Sequence, residues 1–181
     1  MKKGTAKTGL VVGDVLVAVA VSGAIVGTTT SVPVIEVTRE TTATRERVWE
    51  LWADVPNRTG WDRDLEYAKL DGPFRTGSTG EVKLEGQPAR KFLITYCEPL
   101  EGYTDQFFLP FYVKMDWHHT IRETGGGREV TFRIEVSGPS ALILAPIMRN
   151  ILRDDLPPSV DKLVSLAENR ETVTVPGTWP R

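Results

Sequence analysis

The residues with the widest chemical repertoire in this chain stand side by side. The stretch "KMDWHHTIRE", Lys114 to Glu123, holds both histidines of the sequence, His118 and His119. Imidazole binds metals and titrates near neutrality, so an adjacent pair invites a metal or proton-relay reading. The element that carries them decides otherwise. Val113, Met115, Trp117, His119 and Ile121 alternate with Lys114, Asp116, His118, Thr120 and Arg122, the period of a strand with one apolar face. Successive strand side chains point to opposite faces, so the two rings diverge and cannot share an ion or a proton. His118 falls with the water-facing set. His119 is left as one polar point in an apolar wall, and is the candidate catalytic residue. It is either a neutral, hydrogen-bonded wall residue, or a ligand-polarising or acid–base group whose pKa burial and a partner bring near neutrality. Tyr96 and Asp105, on neighbouring strands, are the candidate partners.

Other reactive residues offer less. Cys97 is the single cysteine; it excludes an intramolecular disulfide and reads most simply as a small core hydrophobe. "WDRDLE", Trp61 to Glu66, brings together Asp62, Asp64 and Glu66, and paired carboxylates can do acid–base work. Arg63 interleaves them, and the segment reads as a solvated loop. No CxxC, HExxH, Walker loop, GxSxG or strand-following GxGxxG occurs. "TGGGRE" is followed by no helical pattern and reads as a hairpin turn. The expectation is therefore no metal site and no nucleotide, nicotinamide or flavin cofactor.

The chain has 181 residues, 40% hydrophobic and 25% charged, with 22 basic against 24 acidic residues and a formal charge of −2. That is enough for one globular domain. Without a long basic run, neither nucleic acid nor an anionic membrane is an expected main partner. The first 33 residues form an N-terminal extension. Lys2, Lys3 and Lys7 precede an apolar run from Leu10 to Gly27, which fits an export signal or a short anchor. Asp14 and Gly9, Gly13, Gly23 and Gly27 weigh against both, and a packed or disordered extension is the other reading. Membrane contact is expected only through this segment. The location is cytoplasmic, or membrane-associated or exported if residues 1–30 act as anchor or signal.

"VIEVTRE" (Val34–Glu40) alternates as a strand. Thr44 is a plausible N-cap for a short helix carrying Val48, Leu51, Trp52 and Val55, broken by Pro56, Asn57 and Gly60. Trp49, Trp52 and Trp61 read as packing residues that seat this helix. About six consecutive strands follow, the last with strict alternation at Val130, Phe132, Ile134 and Val136. From Ser140 to Arg170 the period returns to helical, with Pro157 and Pro158 expected to kink or split the segment. Leu142, Leu144, Ile147, Met148, Ile151 and Leu152 form its first apolar set. Residues 171–181 are a polar tail. Consecutive strands with segregated helices imply an α+β domain in which one long helix covers a twisted antiparallel sheet, with a cleft between them.

The pieces "ATRERVWELWADV", "GWDRDLEYAKLDGPFRTGSTGEVKL", "FLITYCEP" and "VSGPSALILAPI" with "LPPSVDKLVSLAEN" resemble the START and Bet v 1-like (SRPBCC) superfamily. Within it, the chain is similar to polyketide cyclase/dehydrase and lipid-transport-like proteins. The resemblance covers residues 34–170. It implies a helix-grip fold holding a small hydrophobic ligand, and supplies no invariant catalytic triad or metal motif to carry over. It strengthens a cavity reading for Val113, Met115, Trp117, His119, Phe92, Tyr96, Phe132 and Ile134, each of which reads alone as core. Three functions follow as expectations: a carrier of a lipid, isoprenoid or polyketide-like molecule; a cofactor-free polyketide cyclase or dehydratase; or an interaction module whose cleft is filled by side chains.

Overall fold

The structure, a computed structural model, describes residues 31–169. The N-terminal run and the tail after Asn169 lie outside the described residues. The elements are β1 (Ser31–Thr41), α1 (Arg45–Ala53), a 3-10 helix (Val55–Gly60), β2 (Leu65–Asp71), β3 (Thr79–Leu84), β4 (Arg90–Glu98), β5 (Gly102–Leu109), β6 (Val113–Thr124), β7 (Gly127–Ser137) and α2 (Ala141–Asn169). The strands make one antiparallel sheet in the order β1-β7-β6-β5-β4-β3-β2. The sheet curves around the long C-terminal helix, which is the helix-grip arrangement.

Thr44 caps α1, its hydroxyl accepting from the Arg47 N–H at 3.2 Å. The helix buries Val48 and Trp52 completely. Pro56 then sits in the first turn of the 3-10 helix, where its missing N–H is no loss. β1 starts earlier than the sequence pattern implied. Ser31–Pro33, counted from the sequence with the N-terminal extension, pair with Glu135–Ser137 of β7, and the register shifts between Pro33 and Ile35. An edge strand with a bulge is where a proline without an N–H is tolerated.

α2 corrects the expectation of a split at Pro157 and Pro158. It runs unbroken through Pro146, Pro157 and Pro158. The carbonyls that Pro157 and Pro158 leave without helical donors belong to Arg153 and Asp154, both exposed, so water can satisfy them. Beyond them the helix is held by the core: Leu156, Val160, Leu163, Val164 and Ala167 are buried. It is also tied to β1. Arg39 pairs with Asp161 at 2.5 Å, the Thr41 hydroxyl donates to Glu168 at 2.8 Å, and Arg149 donates to the carbonyls of Val34 and Pro33 at 2.8 and 2.9 Å.

Candidate ligand-binding site

Between the sheet and α2 lies a cavity of about 590 Å³, within the range that holds a small organic ligand. Its floor is the inward face of the central strands, with Tyr103, Asp105 and Phe107 from β5, Met115, Trp117 and His119 from β6, and Phe132 from β7. Met148, Ile151, Leu152 and Leu156 of α2 form its roof. The segment after α1 closes one end with Arg58, Trp61 and Asp62. A second hollow of about 430 Å³, lined by Glu40, Thr42, Arg128 and Glu168, lies at the β6–β7 turn away from these groups.

Strand parity sorts the two histidines as their alternation requires. His118 faces outward, its Nδ1 3.0 Å from the Thr104 hydroxyl and its Nε2 3.9 Å from Glu135. His119 is 3% exposed and lines the cavity. Its ring stacks on Tyr103 with centroids 4.1 Å apart and planes 2° from parallel, and meets Phe132 edge-on at 4.4 Å. Burial, then the charge of Arg58, hold its pKa well below the usual histidine value. Of the two readings of His119, this direction favours the neutral wall residue over an imidazole brought near neutrality, since burial and the nearby Arg58 cation both disfavour its charged form.

Neither candidate partner plays that part. Asp105 sits on the cavity floor, 4% exposed, but it is taken by Arg58, whose Nη1 lies 3.2 Å from its Oδ2. Tyr96 is 48% exposed. The register between β4 and β5 shifts between Ile94 and Tyr96, inserting Thr95 as an extra residue. That bulge reverses the alternation, turning Tyr96 outward and bringing Cys97 toward Phe74, whose carbonyl lies 3.7 Å from the Cys97 sulfur. Burial raises the Cys97 pKa, which suits a packing thiol rather than a nucleophile.

Of the other residues read as cavity wall, Met115, Trp117 and Phe132 line it. Val113 and Ile134 are buried in the main core, and Phe92 belongs to a separate cluster with Val55, Leu65, Ala68 and Ile94. Those three pack beside the cavity without lining it.

Three residues complete a polar pole that the sequence reading did not assemble. Arg58, 5% exposed, donates from Nε and Nη2 to the Trp52 carbonyl at 3.2 and 3.1 Å, and its guanidinium lies 5.1 Å from the Tyr103 ring centre. Nothing in its neighbourhood in sequence marks it as buried. Tyr103 is 1% exposed and burial keeps its phenol protonated; its in-phase spacing with Asp105, Phe107 and Leu109 was the available signal. Asp62, expected in a solvated loop, is half-buried against the cavity, and burial pushes its pKa up to about 6. The backbone does this: the N–H groups of Trp61 and Asp62 both donate to the Arg58 carbonyl, folding the loop inward.

Four buried atoms on this wall have no hydrogen-bond partner: Tyr103 Oη, Asp105 Oδ1, Trp117 Nε1 and His119 Nδ1. All four residues line the same cavity. Unsatisfied polar atoms cost about 1–3 kcal/mol each when buried, so their convergence on one space marks where polar groups of a guest, or ordered water, belong. Among the described residues, no group of three histidine, cysteine or acidic side chains could hold a metal ion.

A curved sheet gripping one helix around a partly apolar cavity defines a class of fold, and solved structures share it. The chain resembles the di-domain aromatase/cyclase StfQ of the steffimycin biosynthetic pathway at 12% identity and a TM-score of 0.64, covering 79% of this chain and 53% of that one. It therefore spans about half the length of StfQ. It resembles the Zhui aromatase/cyclase of Streptomyces sp. R1128 at 12% identity and 0.62, covering 80% of this chain and 98% of that one. Ara h 8.0201 matches at 10% identity and 0.57, with 78% and 97% covered. No family model matches the chain, and no curated protein matches it significantly. The chain shares the helix-grip fold of these solved structures.

Proposed function

We propose that this protein binds a small hydrophobic molecule with a polar end, such as a lipid, isoprenoid or polyketide-like compound, between the sheet and α2. The observation that carries this reading is the pairing of apolar walls with four unpartnered polar atoms on the same floor. Met115, Phe132, Met148 and Leu152 give the guest apolar surface, while Tyr103, Asp105 and His119 address its hydroxyl, phenol or carbonyl groups. A neutral imidazole and a protonated phenol both donate to a carbonyl without the desolvation penalty of a charge. The open cavity weighs against a pure interaction module.

A second reading, a cofactor-free cyclase or dehydratase of polyketide-like substrates, is favoured by Asp62. A carboxyl with a pKa of about 6 at the cavity wall can give or accept a proton near neutrality. In that reading Asp62 is the proton carrier, and Tyr103 and His119 orient an enolisable carbonyl.

Untargeted mass spectrometry of molecules carried through purification of the full chain tests the first reading. Recovery of a hydrophobic compound with at least one oxygen function is expected. Repeated recovery of nothing, together with no thermal shift in a panel of fatty acids, isoprenoids and aromatic polyketides, would overturn it. If a bound polyketide is converted, loss of turnover with retained binding in Asp62→Asn supports the second reading.

A further inference from the structure

The apolar surface of α2 changes character along its length. Beyond Leu156 its apolar residues are buried or, as Leu166, partly so, whereas Leu142, Ile143, Ile147 and Ile151 are 71, 70, 51 and 50% exposed. No charged residue occurs from Ala141 to Met148. The first apolar set is therefore divided: Leu144, Met148 and Leu152 lean on the core, Leu142 and Ile147 face outward, and Ile151 is half-exposed at the cavity roof. The β5–β6 turn adds to the same end. Phe111 and Tyr112 are 74 and 92% exposed and both adopt left-handed backbone, with φ of 63° and 58°. Bulky aromatics strain such a conformation, and no packing compensates two rings held in water. The turn abuts the start of α2: a Cβ on Gly138 would lie 2.5 Å from the Tyr112 carbonyl oxygen, and the Ala141 N–H donates to the Gly138 carbonyl at 3.1 Å.

β1 begins at this end as well. Ser31 pairs with Ser137, and Ser137 with Lys114. The apolar run Leu10–Gly27 is joined to Ser31 by Thr28, Thr29 and Thr30 alone, a reach of about 10 Å. Two apolar features, one in the fold and one in the sequence beyond it, are thus tethered at one place. Lys114, exposed, follows the Phe111–Tyr112 turn by two residues, and Lys2, Lys3 and Lys7 precede the run. A cation beside an apolar patch suits an anionic lipid surface. No described helix is long and apolar enough to cross a membrane, so the domain would sit on the bilayer rather than span it.

We propose that Phe111, Tyr112, Leu142, Ile143 and Ile147 form a docking face for a lipid bilayer containing anionic lipid. Met148, Ile151 and Leu152 continue from this face into the cavity roof, so a docked domain presents its cavity to the lipid phase. That consequence rests on the ligand-binding reading; the docking itself does not.

The test is co-sedimentation of the full chain, without ligand, with vesicles of equal parts phosphatidylcholine and phosphatidylglycerol. Two double variants are compared with the parent, Phe111→Asn/Tyr112→Gly and Leu142→Gln/Ile143→Gln. Asn-Gly takes left-handed backbone readily, so the first removes the aromatics while easing the turn and should not impair folding. The parent is expected to sediment with the vesicles, each variant to lose association about tenfold or more, and melting temperatures to be kept. A parent that ignores the vesicles overturns the proposal. So does undiminished association in both variants, which would mean that the N-terminal run holds alone. Protection of the Leu142–Ile147 amides in the vesicle-free full chain, lost on mutating the run, would mean that the run covers the patch, and overturns it equally. Vesicle association by a protein that carries no small molecule would count only against the ligand reading.

Discussion

Replacing Asp62 by asparagine should stabilise the ligand-free protein, and only above a definite pH. Burial against the cavity raises the Asp62 carboxyl from its ordinary 3.8 to about 6, with the nearby Arg58 charge offsetting part of the shift. The folded state therefore holds a proton that the unfolded chain releases between those values. Over that window the native state binds more protons, so stability falls as pH rises from about 3.8 to about 6 and stays reduced above it. A shift of this size corresponds to about 3 kcal/mol. Halved for screening by water in an open cavity, it leaves about 1.5 kcal/mol. The Asp62→Asn variant lacks the ionisation and keeps the size. At pH 7 it should melt about 5 °C above the parent, and at pH 4 the two should nearly coincide. Urea and thermal denaturation at half-unit steps from pH 4 to 8 give the measurement. A gap independent of pH would mean an unshifted carboxyl, and an Asp62→Asn variant less stable at pH 7 would mean a carboxylate stabilised by its surroundings; either result would refute the reasoning.

Further outcomes follow from the same geometry. Arg58→Met strands the Asp105 carboxylate in the core and should cost about 3–5 kcal/mol, whereas Arg58→Met with Asp105→Leu should recover most of it; urea midpoints of the two variants decide. His119→Phe keeps the stack on Tyr103 and removes an unpartnered nitrogen, so stability should change by less than about 1 kcal/mol while affinity for a recovered ligand falls; unchanged affinity in both His119→Phe and His119→Gln would remove His119 from the site. Gly102→Ala should destabilise by about 2 kcal/mol or more, since the new methyl would lie 2.3 Å from the His119 carbonyl oxygen, a backbone atom that cannot swing aside. Phe111→Asn/Tyr112→Gly should raise stability by about 1 kcal/mol, read by thermal melting.

The fold was legible because it rests on periodicity. The alternation around His119 and Phe132 set which faces of β6 and β7 point inward, and the helical spacing after Ser140 set the gripping helix. What failed did so where one residue alters a pattern whose partner lies far away in sequence. Thr95 enters β4 as a bulge defined by pairing with β5, and nothing local shows that Tyr96 is thereby turned out. Arg58 reads as a polar residue among turn formers; its burial follows from Asp105, Tyr103 and the Trp52 carbonyl, which only the folded chain brings within reach. Asp62 was misplaced for the same reason: its sequence neighbours are charged, but its spatial neighbours are the cavity wall. The exposed half of α2 escaped differently, since helical spacing identifies an apolar face without saying what covers it.

The polar pole also narrows what chemistry this cavity could perform. His119 is neutral and deprotonates too readily to donate a proton as an acid, while burial raises the Tyr103 phenol too far for it to serve as a base near neutrality. Asp105 is committed to Arg58. Of these four groups, Asp62, with a pKa of about 6, is the one that changes charge in the physiological range. A binding protein needs this wall only as a set of donors and acceptors, so its affinity for a neutral guest should vary with pH mainly through Asp62. An enzyme needs Asp62 to cycle. Affinity and any turnover measured from pH 5 to 8 therefore separate the two readings: a pH-dependent rate lost in Asp62→Asn, with binding intact, belongs to catalysis. Equal loss of rate and binding belongs to recognition alone.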